Sequence, residues 1–253
     1  MKVEVRGGLY RLRVKLPPSN LLLISDRPEA VSAALASFTY HRASLEAYVA
    51  ENPYYCYSLE PVEVERWAPE AVKLAAEAAF KAKVGPMAAV PGALAELALQ
   101  AMAEQKAKVG VVENGGEIAA FTDRPLTVAV YAGNSPLSGR IGFVLSPEET
   151  PIGIATSSAT VSHAINFGEA DAAVALAEST ALADAAAKAA CNAVKGEIKA
   201  SIRKGLEAAL KVPGVRGALI VRGKFFGAAG RLPRLIALKG GVEEAFKSAL
   251  KVL

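Results

Sequence analysis

Apolar and charged residues alternate over residues 3–14 around Gly7-Gly8, the period of two expected of a hairpin with one wet face. An apolar run at 21–25 predicts a further strand, and Asp26 stands where it can cap a helix with Pro28 in its first turn. That helix is expected to reach about Ala50, with Val31, Leu35, Phe38 and Leu45 on its inner face and His41 beside them as a packing or surface residue. Asn52-Pro53 ends it. The aromatic run at 54–57 and the PVEVERW that follows read as extended, half-buried strand, with base stacking as the competing use.

Helical spacing resumes at Pro69 and runs to about Lys83, breaks at Gly85-Pro86, and returns with Leu94, Leu97, Ala98 and Ala101 on one side, ending near Lys108. Residues 109–113 and 117–121 flank Asn114-Gly115-Gly116, a strong hairpin signal. Strands are expected at 126–131, 140–145, 152–156 and 172–176. Ser179 can cap an Ala-rich helix to about Val194, closed by Gly196, and a further helix spans 197–211 before Pro213-Gly214. The tail predicts strands at 218–221, 224–228 and 235–238 and a last helix from Val242. A pair of helices followed by strands occurs twice, at 69–131 and 179–238. That order predicts an α+β fold with mixed, largely antiparallel sheets packed by helix pairs, not a strict βαβ alternation.

Composition sharpens this in three ways. With 52% apolar and 21% charged residues, 253 residues can bury a substantial core. Every Ala-rich run is broken by charge, at Glu96 and Glu104 or at Glu178, Asp184 and Lys188, so no stretch of roughly 20 uncharged residues is available to span a bilayer. The opening MKVEVRGGLYRLRV carries charge where a signal core would be apolar, so a cytoplasmic protein is expected, with Cys56 and Cys191 as buried free thiols. The net charge of +4 permits a phosphorylated partner. Its basic residues are scattered, so a nucleic-acid partner is not expected.

Candidate chemistry gathers at three places. Asn114-Gly115-Gly116-Glu117 can offer backbone N–H groups to a phosphate, or be a turn and nothing more. Thr156-Ser157-Ser158 sets three hydroxyls at a strand end, with His163 behind them as a general base near neutral pH; a Ser/Thr turn with a surface histidine is the alternative. Asp184 and Lys188 share one face of the Ala-rich helix, in the order that favours an ordinary i,i+4 pair worth about 0.3–0.5 kcal/mol. Their neighbours are nearly all Ala or Leu, however, and a helix apolar all round is buried. A buried carboxylate requires a partner: Lys188, a metal or a ligand cation.

Several of these segments also carry a resemblance. GPMAAVPGALAE at 85–96, VENGGEI at 112–118, VYAGNSPLSG at 130–139, GIATSSATVSH at 153–163 and ALADAAAKA at 181–189 resemble, in this order, the UPF0280 family. That family is in turn similar to the ApbE proteins, Mg-dependent flavin transferases that use FAD to attach FMN to a Thr or Ser of a partner protein. The resemblance implies one ApbE-like domain over 1–253, with 1–65 as an N-terminal extension, and FAD or FMN as the ligand. It implies that Asn114-Gly115-Gly116 lies near the dinucleotide, with Glu117 where Asp is usual, and that Thr156-Ser157-Ser158 stands for a Thr-Ser-Gly. His163 takes the place of the active-site histidine, followed by Asn166-Phe167-Gly168 in place of Asp-Pro, and Asp184 the place of the metal aspartate.

Two departures matter. Lys188 stands where the family has a magnesium-ligating threonine, and an ammonium cannot ligate a cation and repels one; it can instead occupy the metal's place as a ligand-binding residue, pairing with Asp184 and reaching toward a phosphate as a fixed positive charge. Pro91-Gly92 replaces a Lys-Gly. The expectation is therefore a cleft for a small phosphorylated, flavin-like nucleotide, with a transferase-like activity in which His163 and Asp184 are catalytic. Its alternative is a ligand-binding or assembly module that keeps the fold and has lost the metal site. A homo-oligomer is compatible with either.

Overall fold

The opening alternation folds as a hairpin of β1 (Val3–Arg6) and β2 (Leu9–Leu16) in a computed structural model that describes residues 3–161 and 165–238. Gly7 and Gly8 both take positive φ, 58° and 73°, as a two-residue turn of this hand requires. The chain continues through β3 (Ser19–Ser25), α1 (Pro28–Glu51), α2 (Pro53–Tyr57), α3 (Glu70–Ala82) and α4 (Val90–Glu104). Next come β4 (Gly110–Asn114), β5 (Glu117–Phe121), β6 (Leu126–Ala129), β7 (Ile141–Leu145), β8 (Ile152–Ser157) and β9 (Ala172–Ala177). The described residues end with α5 (Thr180–Ala193), α6 (Ile198–Leu210), β10 (Val215–Arg222), β11 (Phe225–Gly230) and β12 (Arg234–Ala237).

Among the described residues the strands form a nine-stranded sheet, in the order β1-β2-β3-β4-β5-β8-β9-β10-β11, and a three-stranded sheet, β12-β7-β6. Each described pairing is antiparallel. Alternation along the central strands sorts the two faces. Ile152 and Ile154 of β8, with Val174 and Leu176 of β9, pack against Phe143 and Leu145 of the small sheet. Ala155, Ala175 and Ala177 face the helices instead. The fold is thus α+β with largely antiparallel sheets, as the helix-pair pattern predicts, and its arrangement is a sandwich with helices on one face of a long sheet and a second sheet on the other.

The helix face is built from small residues, and this brings α5 down onto the sheet. A Cβ on Gly153 of β8 would stand 2.4 Å from Thr180 Cα, so the first turn of α5 rests on bare strand backbone. Ten of the residues of α5, including Asp184, are buried. The prediction of an Ala-rich buried helix capped by Ser179 holds: the Ser179 side chain accepts from Leu182 N–H at 3.2 Å.

Several local expectations fail. Asp26 does not cap α1; its Oδ1 accepts from Lys108 N–H and Val109 N–H, both at 3.0 Å, and so fastens the chain entering β4 to the end of β3. The aromatic run at 54–57 is one helical turn, α2, and residues 61–67 form no strand. Its apolar content suggested burial on a sheet, but Tyr55 alone of that turn is buried, while Tyr54, Tyr57 and Trp67 are exposed. Cys56 shares this turn and is only partly buried, whereas Cys191 is buried as expected; both are free thiols. Pro53 suits a first helical turn as well as it suits an extended segment, and local pattern does not separate the two. The helix expected to end near Lys108 stops at Glu104, and Lys106 takes a left-handed φ of 58°. The helix expected from Val242 lies outside the described residues.

Candidate functional site

The site grows out of the crossing of α4 and α5. Gly92 sits in the first turn of α4, where backbone N–H groups lack intrahelical partners, and its N–H donates to Asp184 Oδ2 at 2.9 Å. A Cβ at Gly92 would lie 2.5 Å from Thr180 O and 2.9 Å from Asp184 Cβ, so only glycine lets the helices come this close. In return, Glu96 of α4 reaches the first turn of α5: its Oε2 accepts from Ser179 Oγ at 2.8 Å, Thr180 N–H at 2.7 Å and Ala181 N–H at 3.2 Å. Each helix therefore carries the carboxylate that caps the other.

Past Asp184 a cavity of about 480 Å³ opens between the two sheets. Most of its wall is apolar: Ile24, Val111 and Ile118 come from the large sheet, and Leu126, Val128 and Phe143 from the small one. One end is polar. There the tip of the β4–β5 hairpin (Gly115, Gly116, Glu117) meets the end of β8 (Thr156, Ser157, Ser158) and the Asp184 and Lys188 side chains of α5. Gly115 and Gly116 have φ of 76° and 137°, so the Asn-Gly signal is a true hairpin turn and its backbone also borders the cavity.

The segment after β8 is tied to α5. Ser158 Oγ accepts from Thr160 N–H and Val161 N–H and closes a local turn. Asn166 Nδ2 donates to Ser158 O at 2.8 Å, and Ser157 Oγ donates to Asn166 Oδ1 at 3.0 Å. Gly168 passes so close to α5 that a Cβ there would collide with Cys191 O, and Phe167 N–H donates to Asn192 Oδ1 at 2.9 Å. This docking sets Asn166 over Lys188, whose Nζ donates to Asn166 Oδ1 at 2.8 Å and to Ile165 O at 3.1 Å.

The structure thus assembles eight of the residues singled out from the sequence: Gly115, Gly116, Glu117, Thr156, Ser157, Ser158, Asp184 and Lys188. Asn114 points the other way into the fold, donating from Nδ2 to Pro91 O at 3.2 Å. His163 lies outside the described residues. The Asp184–Lys188 ion pair, one of the alternatives that the spacing left open, is not a contact among the described residues: Asp184 takes Gly92 N–H, and Lys188 takes the 165–166 segment. Asn166 as the lysine's acceptor and Gly92 as the aspartate's donor were not singled out, since nothing local marks a residue whose partner is 22 or 92 positions away. Nor were the apolar walls, whose period-two pattern reads only as core.

Burial governs the charges. It pushes the Glu117 carboxyl well above its ordinary range, and the Asp184 carboxyl nearby pushes it further. Burial also raises Asp184, to about 7, against the opposing pull of Gly92 N–H and Lys188. The Lys188 ammonium is lowered by its own burial and held up in part by these carboxylates. Glu113, on the cavity wall, is likewise raised by burial, with Arg13 working against it.

A divalent cation does not suit this donor set. Asp184 and Glu117 are two carboxylates, no three Asp, Glu, His or Cys side chains converge among the described residues, and the next functional group along the face is an ammonium. The cavity instead offers apolar walls and, at its polar end, hydroxyls, turn amides and an ammonium. No helix among the described residues is long and apolar enough to cross a membrane.

The layered sheets and the α4–α5 crossing define an ApbE-like fold. Flavinyl transferase ApbE of Pseudomonas stutzeri, in its apo form, superposes with a TM-score of 0.58 at 13% identity, covering 90% of this chain and 94% of that one. The ApbE protein of Thermotoga maritima gives 0.55 at 13% identity, covering 87% and 97%. The family described as "AbpE bacteria" matches residues 3–212. A UPF0280 protein of Methanococcus vannielii is 36% identical over 247 residues, 97% of this chain and 99% of its own length. One from Methanosarcina acetivorans is 38% identical over 213 residues, 84% and 83% of the two. The chain belongs to the UPF0280 family.

Proposed function

We propose that the cavity takes a small phosphorylated nucleotide with a planar ring, FMN or the FMN half of FAD being the leading candidates. The observation that carries this reading is the convergence of the β4–β5 turn, the end of β8 and the Asp184–Lys188 face of α5 on one end of an apolar slot of about 480 Å³. That volume falls within the range of about 300–1,000 Å³ usual for small-molecule sites. In this reading Leu126, Val128 and Phe143 flank the ring, the amides of Gly115-Gly116 and the Thr156 hydroxyl meet phosphate oxygens, and Lys188 supplies positive charge. Glu117, whose carboxyl burial raises well above its ordinary range, lines the same end of the cavity. His163 remains the proposed base and Asp184 the electrostatic anchor of the site.

The test is direct binding: titration of the purified chain with FMN and FAD, followed by flavin fluorescence. Saturable binding that weakens at least about tenfold in Asp184→Ala supports the reading, a loss of the size expected for one hydrogen bond to a charged group. Absence of saturable binding of either flavin overturns it.

A second reading, a module that binds its ligand without transferring any group, is favoured by the engagement of Lys188 with Asn166 Oδ1 and Ile165 O. Incubation with FAD and an acceptor protein carrying Thr or Ser decides between them. Covalent flavin on the acceptor, lost in His163→Ala, establishes transfer; bound but untransferred flavin favours the module.

A further inference from the structure

We infer that Lys188 is the built-in cation at the polar end of this cleft, so that the site takes a phosphorylated ligand with no divalent metal. The inference rests on the nucleotide reading above for the ligand, and on geometry for the charge.

The ammonium is fixed, not free to swing. Lys188 Nζ is held by Asn166 Oδ1 and Ile165 O, and the segment bearing both acceptors is itself locked to α5 through Gly168 and Asn192. Two acceptors leave the third ammonium proton for another partner, and Lys188 lines the polar end of the cavity beside Thr156 and the Gly115-Gly116 turn. A phosphate there meets a positioned positive charge without reorganisation of the protein.

The carboxylates point to the same conclusion. A divalent ion is retained by ionised oxygens, and here Asp184 already gives one oxygen to Gly92 N–H. Lys188 lines the same end of the cavity as Asp184, so a dication entering there meets a like charge. An anion suffers no such repulsion.

Two measurements test this, and they fail separately from the nucleotide reading. The first is FMN affinity of the wild type in EDTA and in excess magnesium. Equal affinities are expected, and a requirement for magnesium overturns the inference. Lys188→Met is expected to bind FMN about tenfold or more weakly, with magnesium giving no recovery; unchanged affinity in this variant, with the fold verified by circular dichroism, overturns it too. The second is titration of the ligand-free wild type with Mn2+, followed by electron paramagnetic resonance. No single tight site is expected. One Mn2+ bound per chain and lost in Asp184→Asn overturns the inference even if FMN itself does not bind.

Discussion

Glu96 and Asp184 cap each other's helices across one crossing, yet their surroundings differ. Glu96 Oε2 collects three donors from the start of α5, within 2.7 to 3.2 Å. It takes no part in the cavity wall. Asp184 collects a single backbone N–H, lines the cavity and shares its burial with Glu117. A carboxylate with several aligned donors at a positive helix end has its charge compensated where it stands. One with a single donor and a carboxyl neighbour does not, and remains poised to change protonation or accept a ligand group. The same architectural task thus leaves one carboxylate engaged by three donors away from the cavity and the other facing the cavity with a single donor.

The largest expected effect comes from removing the structural partner. Glu96→Ala strips three hydrogen bonds from the first turn of α5 and leaves buried donors unmet, so a loss of about 3 kcal/mol in urea denaturation is expected. Flavin affinity of the folded fraction should hardly change. If Glu96→Ala weakened binding more than Asp184→Ala does, the division of labour between the two carboxylates would be wrong.

Gly92→Ala tests the crossing itself. The new Cβ would need space now filled by Thr180 O at 2.5 Å, a backbone atom that cannot rotate away. Separation of α4 from α5 should cost about 2 kcal/mol, typical of overpacking, and should lengthen the Gly92–Asp184 hydrogen bond. Faster hydrogen exchange of the residue-92 amide in the variant than in wild type is the readout. Unchanged exchange together with unchanged stability would show that the close approach is dispensable.

The parts of this fold legible in the sequence were those whose partners are near in the chain. The Gly7-Gly8 and Asn114-Gly115 turns, the Ser179 cap and the buried face of α5 all follow from a few adjacent residues. Asp26 was misassigned because its short-range option, capping α1, is locally as good as the long-range one it takes with Lys108 and Val109. The acceptors of Lys188 were hidden for a similar reason. Four residues from Asp184 it reads as an ion pair, but the 165–168 segment, docked by Gly168, offers its ammonium two acceptors that no helical spacing announces. The site residues were visible as chemistry; what joins them was not, because the cavity is made by the meeting of two sheets.

The smallest effect expected is also the one that separates the two carboxylates by pH. Asp184 has a folded-state pKa raised from 3.8 to about 7, so folding takes up a proton between those values. Its contribution to stability is then fully present below the unfolded pKa and is lost as pH rises through the folded one. Asp184→Asn keeps an oxygen for Gly92 N–H and removes the titration. Going from about pH 6 to about pH 7, this variant should therefore lose less stability than wild type, by an amount on the order of 1 kcal/mol in urea denaturation. Glu117 is raised in the same direction and stays in place, so part of the wild-type slope should survive and disappear only when Glu117→Gln is added. A wild type that grows more stable over this range, with Asp184→Asn abolishing the gain, would mean that Asp184 is compensated as an anion, and its distinction from Glu96 would vanish.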